Sequence, residues 1–288
     1  MIDPSESISH KLRRAVVSIT PVGGGDVADA FRAELDDGTT VFAKTHPDSP
    51  PGFFATEAAS LAWLREADAA PVPEVLGVSD DPSLLILEWI EPGKPDHRTE
   101  AEFGRALAAL HAAGAPSFGR EDRRTTGSRG LPNEPSESWA EFYASQRLLP
   151  LARLAGNERA LPRSAIRELE FVARRLHEIG GPVEPPARLH GDLWAGNRLV
   201  DANGASWLID PAAHGGHREF DLAMMRLFGG FGEACFAAYA EATPLADGWE
   251  ARLPLHQLAP LAVHAIKFGG GYVGATQQAL HALLRSAS

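Results

Sequence analysis

RLHGDLWAGN, running from Arg188 to Asn197, with Ile209-Asp210-Pro211 beyond it, is the densest chemical signal in the chain. Asp192 and Asn197 are separated by four residues, and Asp210 ends the next apolar run. Transfer of a phosphoryl group from MgATP needs a carboxylate that orients the attacking hydroxyl and oxygen ligands that hold hard Mg²⁺ ions. Those groups must sit close together on rigid backbone, which a loop followed by a short hairpin supplies. On this reading Asp192 is the base, and Asn197 and Asp210 are the metal ligands. Asp and Asn are also common turn residues, so Asp-x4-Asn taken alone is a weak signal. His190-Gly191 before it, the strand after it and Asp210 beyond give it weight.

Working outward, the hairpin is signalled by two apolar runs, Arg198 to Val200 and Ser206 to Ile209, around an Asn203-Gly204 turn. The first ninety or so residues read as strands with one helix. Val16 to Thr20 is β-branched, Gly23, Gly24 and Gly25 permit a tight turn, and Ala30 to Leu35 and Thr40 to Lys44 flank Asp36-Asp37-Gly38. Phe53 to Ala67 reads as a helix, and Leu84 to Ile90 as a buried strand that runs into Pro92-Gly93, a linker signal. Strand alternation puts Phe42 and Lys44 on one face. Lys44 is placed to hold phosphates and Phe42 to cover an adenine. Glu57 lies on the apolar stripe of the helix with Leu61 and Leu64, and an inward carboxylate wants a cation, for which Lys44 is the natural candidate. The three glycines also offer backbone N–H groups for phosphate, although no G-x-G-x-x-G or Walker sequence is present.

Past Pro92 the pattern turns helical: Glu100 to Ala113, Trp139 to Leu154, Ser164 to Ile179, and most of the chain from Phe220 onward. Residues 115–138 read as a long loop rich in Pro, Gly, Ser and Arg. The expected fold class is α+β in two lobes: a small antiparallel-sheet N-lobe over residues 1–91 and a larger, mainly helical C-lobe over residues 92–288. A formal net charge of −11 argues against nucleic-acid binding. Cys235 is the one cysteine, so no intramolecular disulfide exists and a reducing compartment is favoured. With no signal peptide and no apolar run of membrane-spanning length, a cytoplasmic protein without membrane partners is expected. His190, His214 and His217 cluster near the loop, but Gly215-Gly216 separates the last two and no H-E-x-x-H or Cys pair accompanies them, which argues against a transition-metal site.

These residues resemble the fructosamine (ketosamine) kinases, within the aminoglycoside-phosphotransferase and protein-kinase-like fold group. The resemblance rests on RLHGDLWAGN, on IDPAAHGGHREFDLAM from Ile209 to Met224, on GSRGLPNEPSESWAEFYASQRLLP from Gly127 to Pro150, and on FGGGY from Phe268 to Tyr272. It implies a kinase fold, ATP and Mg²⁺ as cofactors, and phosphorylation of a ketosamine at the sugar 3-hydroxyl. A phosphate at that carbon is a good leaving group, so such products would release the amine, a deglycation repair. The cationic amine of such a substrate suits an acidic protein. The resemblance carries Asp192 over as base, Asn197 and Asp210 as Mg²⁺ ligands, and Lys44 and Glu57 as the phosphate lysine and its helix carboxylate. Backbone around Glu88, Trp89 and Ile90 would meet the adenine edge. Asp221 matches an aspartate that buttresses the catalytic loop, and Trp194, His217 and Glu219 are assigned to substrate or structural support. Gly215 and Gly216 depart from the pattern, since aromatic side chains are usual near there.

Two other readings share much of this pattern. An aminoglycoside or amino-alcohol phosphotransferase has the same Asp-x4-Asn and Asp arrangement, and the Gly127–Pro150 segment speaks against it. A nucleotide-binding pseudokinase would lack one of Lys44, Asp192, Asn197 or Asp210, and none is lacking.

Overall fold

The computed structural model describes residues 3–23, 28–122, 125–126 and 130–286, which divide into two compact units. Gly24 and Gly25 lie outside the described residues. The first unit comprises residues 1–99 together with 197–211, and the second 100–196 with 212–288. This division differs from a single cut after residue 91. The Pro92-Gly93 segment is not a free linker: Gly93 N–H donates to Val200 O at 2.7 Å, and Pro92 bridges Asp201. A Cβ on Gly93 would lie 2.0 Å from Asp201 O, so glycine permits this approach. Leu208 N–H also donates to Pro71 O, which ties the hairpin to the first unit.

In the first unit, helix α1 (Pro4–Leu12) starts where Asp3 accepts the Ser5 N–H and Pro4 pre-sets the first turn. Strands β1 (Val16–Val22), β2 (Asp29–Leu35), β3 (Thr40–Thr45), β4 (Val75–Asp80) and β5 (Ser83–Glu88) form an antiparallel sheet in the order β1-β2-β3-β5-β4. Period-two alternation sends Val41 and Ala43 into a core with Ile8, Leu35, Leu84 and Ile86, and leaves Phe42 and Lys44 on the opposite face. Helix α2 (Phe53–Arg65) packs against β4 and β5, with Phe54, Leu61 and Leu64 buried. The hairpin pairs Arg198–Val200 with Ser206–Leu208, and its turn is closed by Asp201 accepting the N–H groups of Asn203 and Ala205.

The second unit is helical: α3 (Thr99–Ala112), α4 (Trp139–Tyr143), α5 (Leu149–Asn157), α6 (Arg163–Arg174), α7 (Leu176–Ile179), α8 (Glu219–Phe228), α9 (Glu233–Ala242), α10 (Trp249–Phe268) and α11 (Gly271–Ser286). The expected Trp139–Leu154 helix is interrupted by a π-helical turn at Ala144–Leu148, because Pro150 has no N–H to continue the regular ladder. The expected Ser164–Ile179 helix breaks at Arg175, which leaves the helical region. Inside α10, Pro260 withholds the donor that His256 O would meet. The buried Tyr143 hydroxyl fills the gap, 2.9 Å from Leu255 O and 3.1 Å from His256 O, and accepts the Ala259 N–H at 3.2 Å. Among the described residues no helix is long and apolar enough to cross a membrane.

Among the buried histidines of this unit are His214, His217 and His256. Burial, then Arg147, pushes His214 down to about 3, and burial, then His256, pushes His217 down to about 4. Burial likewise lowers His256. In the unfolded chain such groups take a proton near pH 6.5. The stability they confer is therefore present above that value and lost as pH falls toward the folded values. Thermal midpoints should drop between pH 7 and pH 5, and drop less in a His214→Gln variant; parallel profiles for the two proteins would contradict this.

Candidate active site

In the first unit the structure brings Lys44, Glu57 and Asp210 together. Lys44 Nζ donates to Glu57 Oε1 at 2.8 Å and is in close contact with Asp210 Oδ1. Sheet alternation aims Lys44 away from the α1 side, and the α2 stripe aims Glu57 at it. Burial disfavours the ammonium, yet the charges of Glu57 and Asp210 outweigh it and raise the Lys44 pKa. Burial first, and the Asp210 charge with it, push the Glu57 carboxyl up to about 7. The pair lifts Lys44 without lowering Glu57 because one ammonium is shared between two carboxylates.

Asp210 stands just past the hairpin with φ of 53°, in the left-handed region that a non-glycine residue rarely occupies. Asn197 is buried; its Nδ2 donates to Asp210 O at 3.4 Å and its backbone O accepts the Ile209 N–H. Phe42 is half-buried on the Lys44 face. Glu88 N–H is occupied by Glu74 O, and its carboxylate accepts the Glu74 N–H, so Glu88 does not offer its own N–H to a ligand. Trp89 donates to Glu91 and lies under Arg32, 5.5 Å from the ring centre, while Ile90 is buried. Around Gly23 there is open space.

In the second unit a short ladder, Ala187–Leu189 against His214–Gly216, delivers the chain to His190. Asp221, with no exposed side-chain surface, accepts the N–H groups of His190 at 2.7 Å and Gly191 at 2.9 Å. Burial alone would raise its pKa; the His111 interaction, followed by His190 and Gly191, reverses that and holds it down. His111 Nε2 lies 3.3 Å from Asp221 Oδ2, and its Nδ1 lies 2.8 Å from the Tyr239 hydroxyl. Asp192 N–H in turn donates to His190 Nδ1 at 3.2 Å. Gly191 has φ of 80°, and a Cβ there would lie 2.2 Å from Ala212 O. Reasoning from sequence found Asp221 but missed His111 and Tyr239. The available signal was a histidine on the Leu107 and Leu110 stripe of α3.

The departure at Gly215 and Gly216 has a packing cause. Gly215 exchanges both backbone hydrogen bonds with Gly119, and a Cβ would stand 1.9 Å from Ser117 O. The ladder thereby gains the start of the 115–138 segment as a neighbour. Trp194 folds its ring over Gly196, whose Cβ would meet it at 2.2 Å, and leaves 41% of its surface exposed. His217 and Glu219 are both buried in the helical unit. With His256 they bring ligand atoms within 4.8 Å of one another. Arg252 already donates to both Glu219 oxygens, and Glu219 N–H donates to His217 Nδ1. A guanidinium on the carboxylate and a backbone donor on the ring suit a structural network rather than a metal. Burial would raise Glu219, but Arg252 and then His256 hold it at about 2.

The chain matches the fructosamine kinase family over residues 3–286. It is 34% identical to a protein-ribulosamine 3-kinase of Arabidopsis thaliana, a chloroplastic protein, over 278 residues that cover 94% of this chain and 83% of the relative. A crystal structure of a candidate fructosamine-3-kinase from Thermobifida fusca is 41% identical with a TM-score of 0.90, covering 98% of this chain and 99% of that one. A thermostable mutant of an aminoglycoside phosphotransferase, only 13% identical, gives a TM-score of 0.68 over 100% and 99% of the two chains, a likeness of fold alone.

Replacing Asp221 by Asn removes one acceptor from a buried centre that receives two N–H groups. Urea unfolding should report a loss of about 2–4 kcal/mol. An unchanged midpoint would show that the centre does not hold the loop.

Proposed function

The chain belongs to the fructosamine kinase family, and from that premise we propose that it phosphorylates ketosamines at the sugar 3-hydroxyl with ATP as donor. The observation that carries the reading is the ionic cluster of Lys44, Glu57 and Asp210. Lys44 holds the nucleotide phosphates, and Glu57 keeps Lys44 oriented toward them. One ammonium between two carboxylates leaves negative charge that a divalent cation would offset. The partly exposed carboxylate of Asp210 and the amide oxygen of Asn197 form the oxygen donor set that Mg²⁺ takes. Bound there, Mg²⁺ would neutralise charge on the transferring phosphoryl group. Asp192 accepts a hydrogen bond from the acceptor hydroxyl and takes its proton as the new O–P bond forms and ADP leaves. The backbone beside Trp89 and Ile90 meets the adenine edge, and Phe42 covers its face.

The acceptor is a small or lysine-linked ketosamine. Enolisation of the phosphorylated product toward C1 expels the C3 phosphate, and hydrolysis of the resulting imine frees the amine, so the activity serves deglycation. A net charge of −11 favours a cationic acceptor over nucleic acid. A cytoplasmic setting fits a chain whose one cysteine, Cys235, is buried.

In Asp192→Asn, kcat on a fructosyl or ribulosyl amine should fall by roughly 10²–10⁴ while ATP still binds. A fall within about threefold, far short of that range, would make Asp192 a turn residue only. Turnover should also cease in excess chelator and return with Mg²⁺; full activity without divalent cations would remove Asn197 and Asp210 from their role.

A further inference from the structure

FGGGY, Phe268 to Tyr272, has no part in the chemistry above, yet of its two rings only Tyr272 packs, partly buried, against the core. Phe268 ends α10 and is 50% exposed, which is unusual for so large an apolar side chain. It meets Tyr272 at 6.2 Å between ring centres, and both rings meet His264, at 5.5 and 4.9 Å. His264 lies 4.8 Å from Phe228, and Phe228 lies edge-on to Trp194 at 6.4 Å. Five rings from the loop, α8, α10 and α11 thus form one row, and it begins two residues after Asp192. The Phe268 face already takes a cation, since Lys267 Nζ stands over it at 4.8 Å.

We propose that Phe268 and Tyr272, reached along the row from Trp194, receive the amine substituent of the acceptor and so determine which N-substituted ketosamines are used. The proposal rests on the ketosamine reading. In a ketosamine phosphorylated at the 3-hydroxyl, the amine is on C1, two carbons from the reacting centre. A sugar held at Asp192 therefore projects its substituent from the immediate neighbourhood of the loop, where Trp194 opens the row. The protonated amine stays beside the loop with the sugar, and the alkyl chain beyond it gains by covering exposed ring surface. The glycines at 269 and 270, both with positive φ, make the sharp turn that sets Phe268 beside Tyr272.

The test uses three acceptors with one sugar: 1-amino-1-deoxyfructose, the fructose adduct of hexylamine, and Nε-fructosyl-lysine. Phe268→Ala and Tyr272→Ala should lower kcat/KM for the two substituted acceptors by about fivefold to twentyfold, chiefly through KM. The unsubstituted acceptor and the KM for ATP should stay within about twofold. Phe268→Leu, which keeps apolar bulk and loses the ring, covers the case in which alanine unfolds the protein, and should show the same selectivity. An equal fall for all three acceptors, or no fall for any, overturns the proposal. A wild-type protein inert on all three overturns the ketosamine reading itself, and with it the occupant assigned to the row.

Discussion

A carboxylate removed from water must find its stabilisation among fixed donors, and Asp221 finds it in the backbone of the loop it follows in sequence. His111 first, and His190 and Gly191 after it, favour its ionisation, so the charge and the loop conformation depend on each other. Gly191 takes a positive φ to make the second of those contacts, and Asp192 then returns its own N–H to His190. The segment has little regular structure of its own. Its shape is imposed by one buried charge, with His111 and Tyr239 fixing that charge from behind.

The first unit follows a different electrostatic logic. Lys44 is surrounded by more negative charge than it can neutralise, with Glu57 largely buried and Asp210 partly open to solvent. A fully compensated cluster would be a structural ion pair. An undercompensated one with an exposed carboxylate edge is primed for further positive charge. The strained backbone at Asp210 points the same way, since a left-handed aspartate has to be held against its preference by the hairpin before it.

Much of this was legible in the sequence because it rests on periodicity. Alternation through Phe42 and Lys44 and the helical stripe through Glu57, Leu61 and Leu64 were enough to bring lysine and glutamate together. The hairpin at Asn203-Gly204 followed from turn chemistry. What escaped depends on contacts distant in sequence. His111 reads as one more polar residue until Asp221, far along the chain, is set beside it. The single reading of Trp139 to Leu154 as one helix ignored Pro150. The bond from Gly93 to Val200 also stayed hidden, since no local pattern announces it. Helix α1 was also unread, although Asp3-Pro4 is a sound start signal.

Gly215 shows why a local departure from a family pattern need not mark a looser pocket. An aromatic side chain there would occupy the place of the Ser117 carbonyl, so this chain has exchanged a side chain for a backbone neighbour. The segment from Ser117 to Arg120 gains two hydrogen bonds to the ladder that leads into His190. Aromatic surface in this unit is instead carried by other elements, in the row through Phe228, His264, Phe268 and Tyr272. Buried ionic groups tolerate little relocation, since each needs particular donors at particular angles. Rings that gain mainly by area and by quadrupole can be supplied from any element that reaches the same surface.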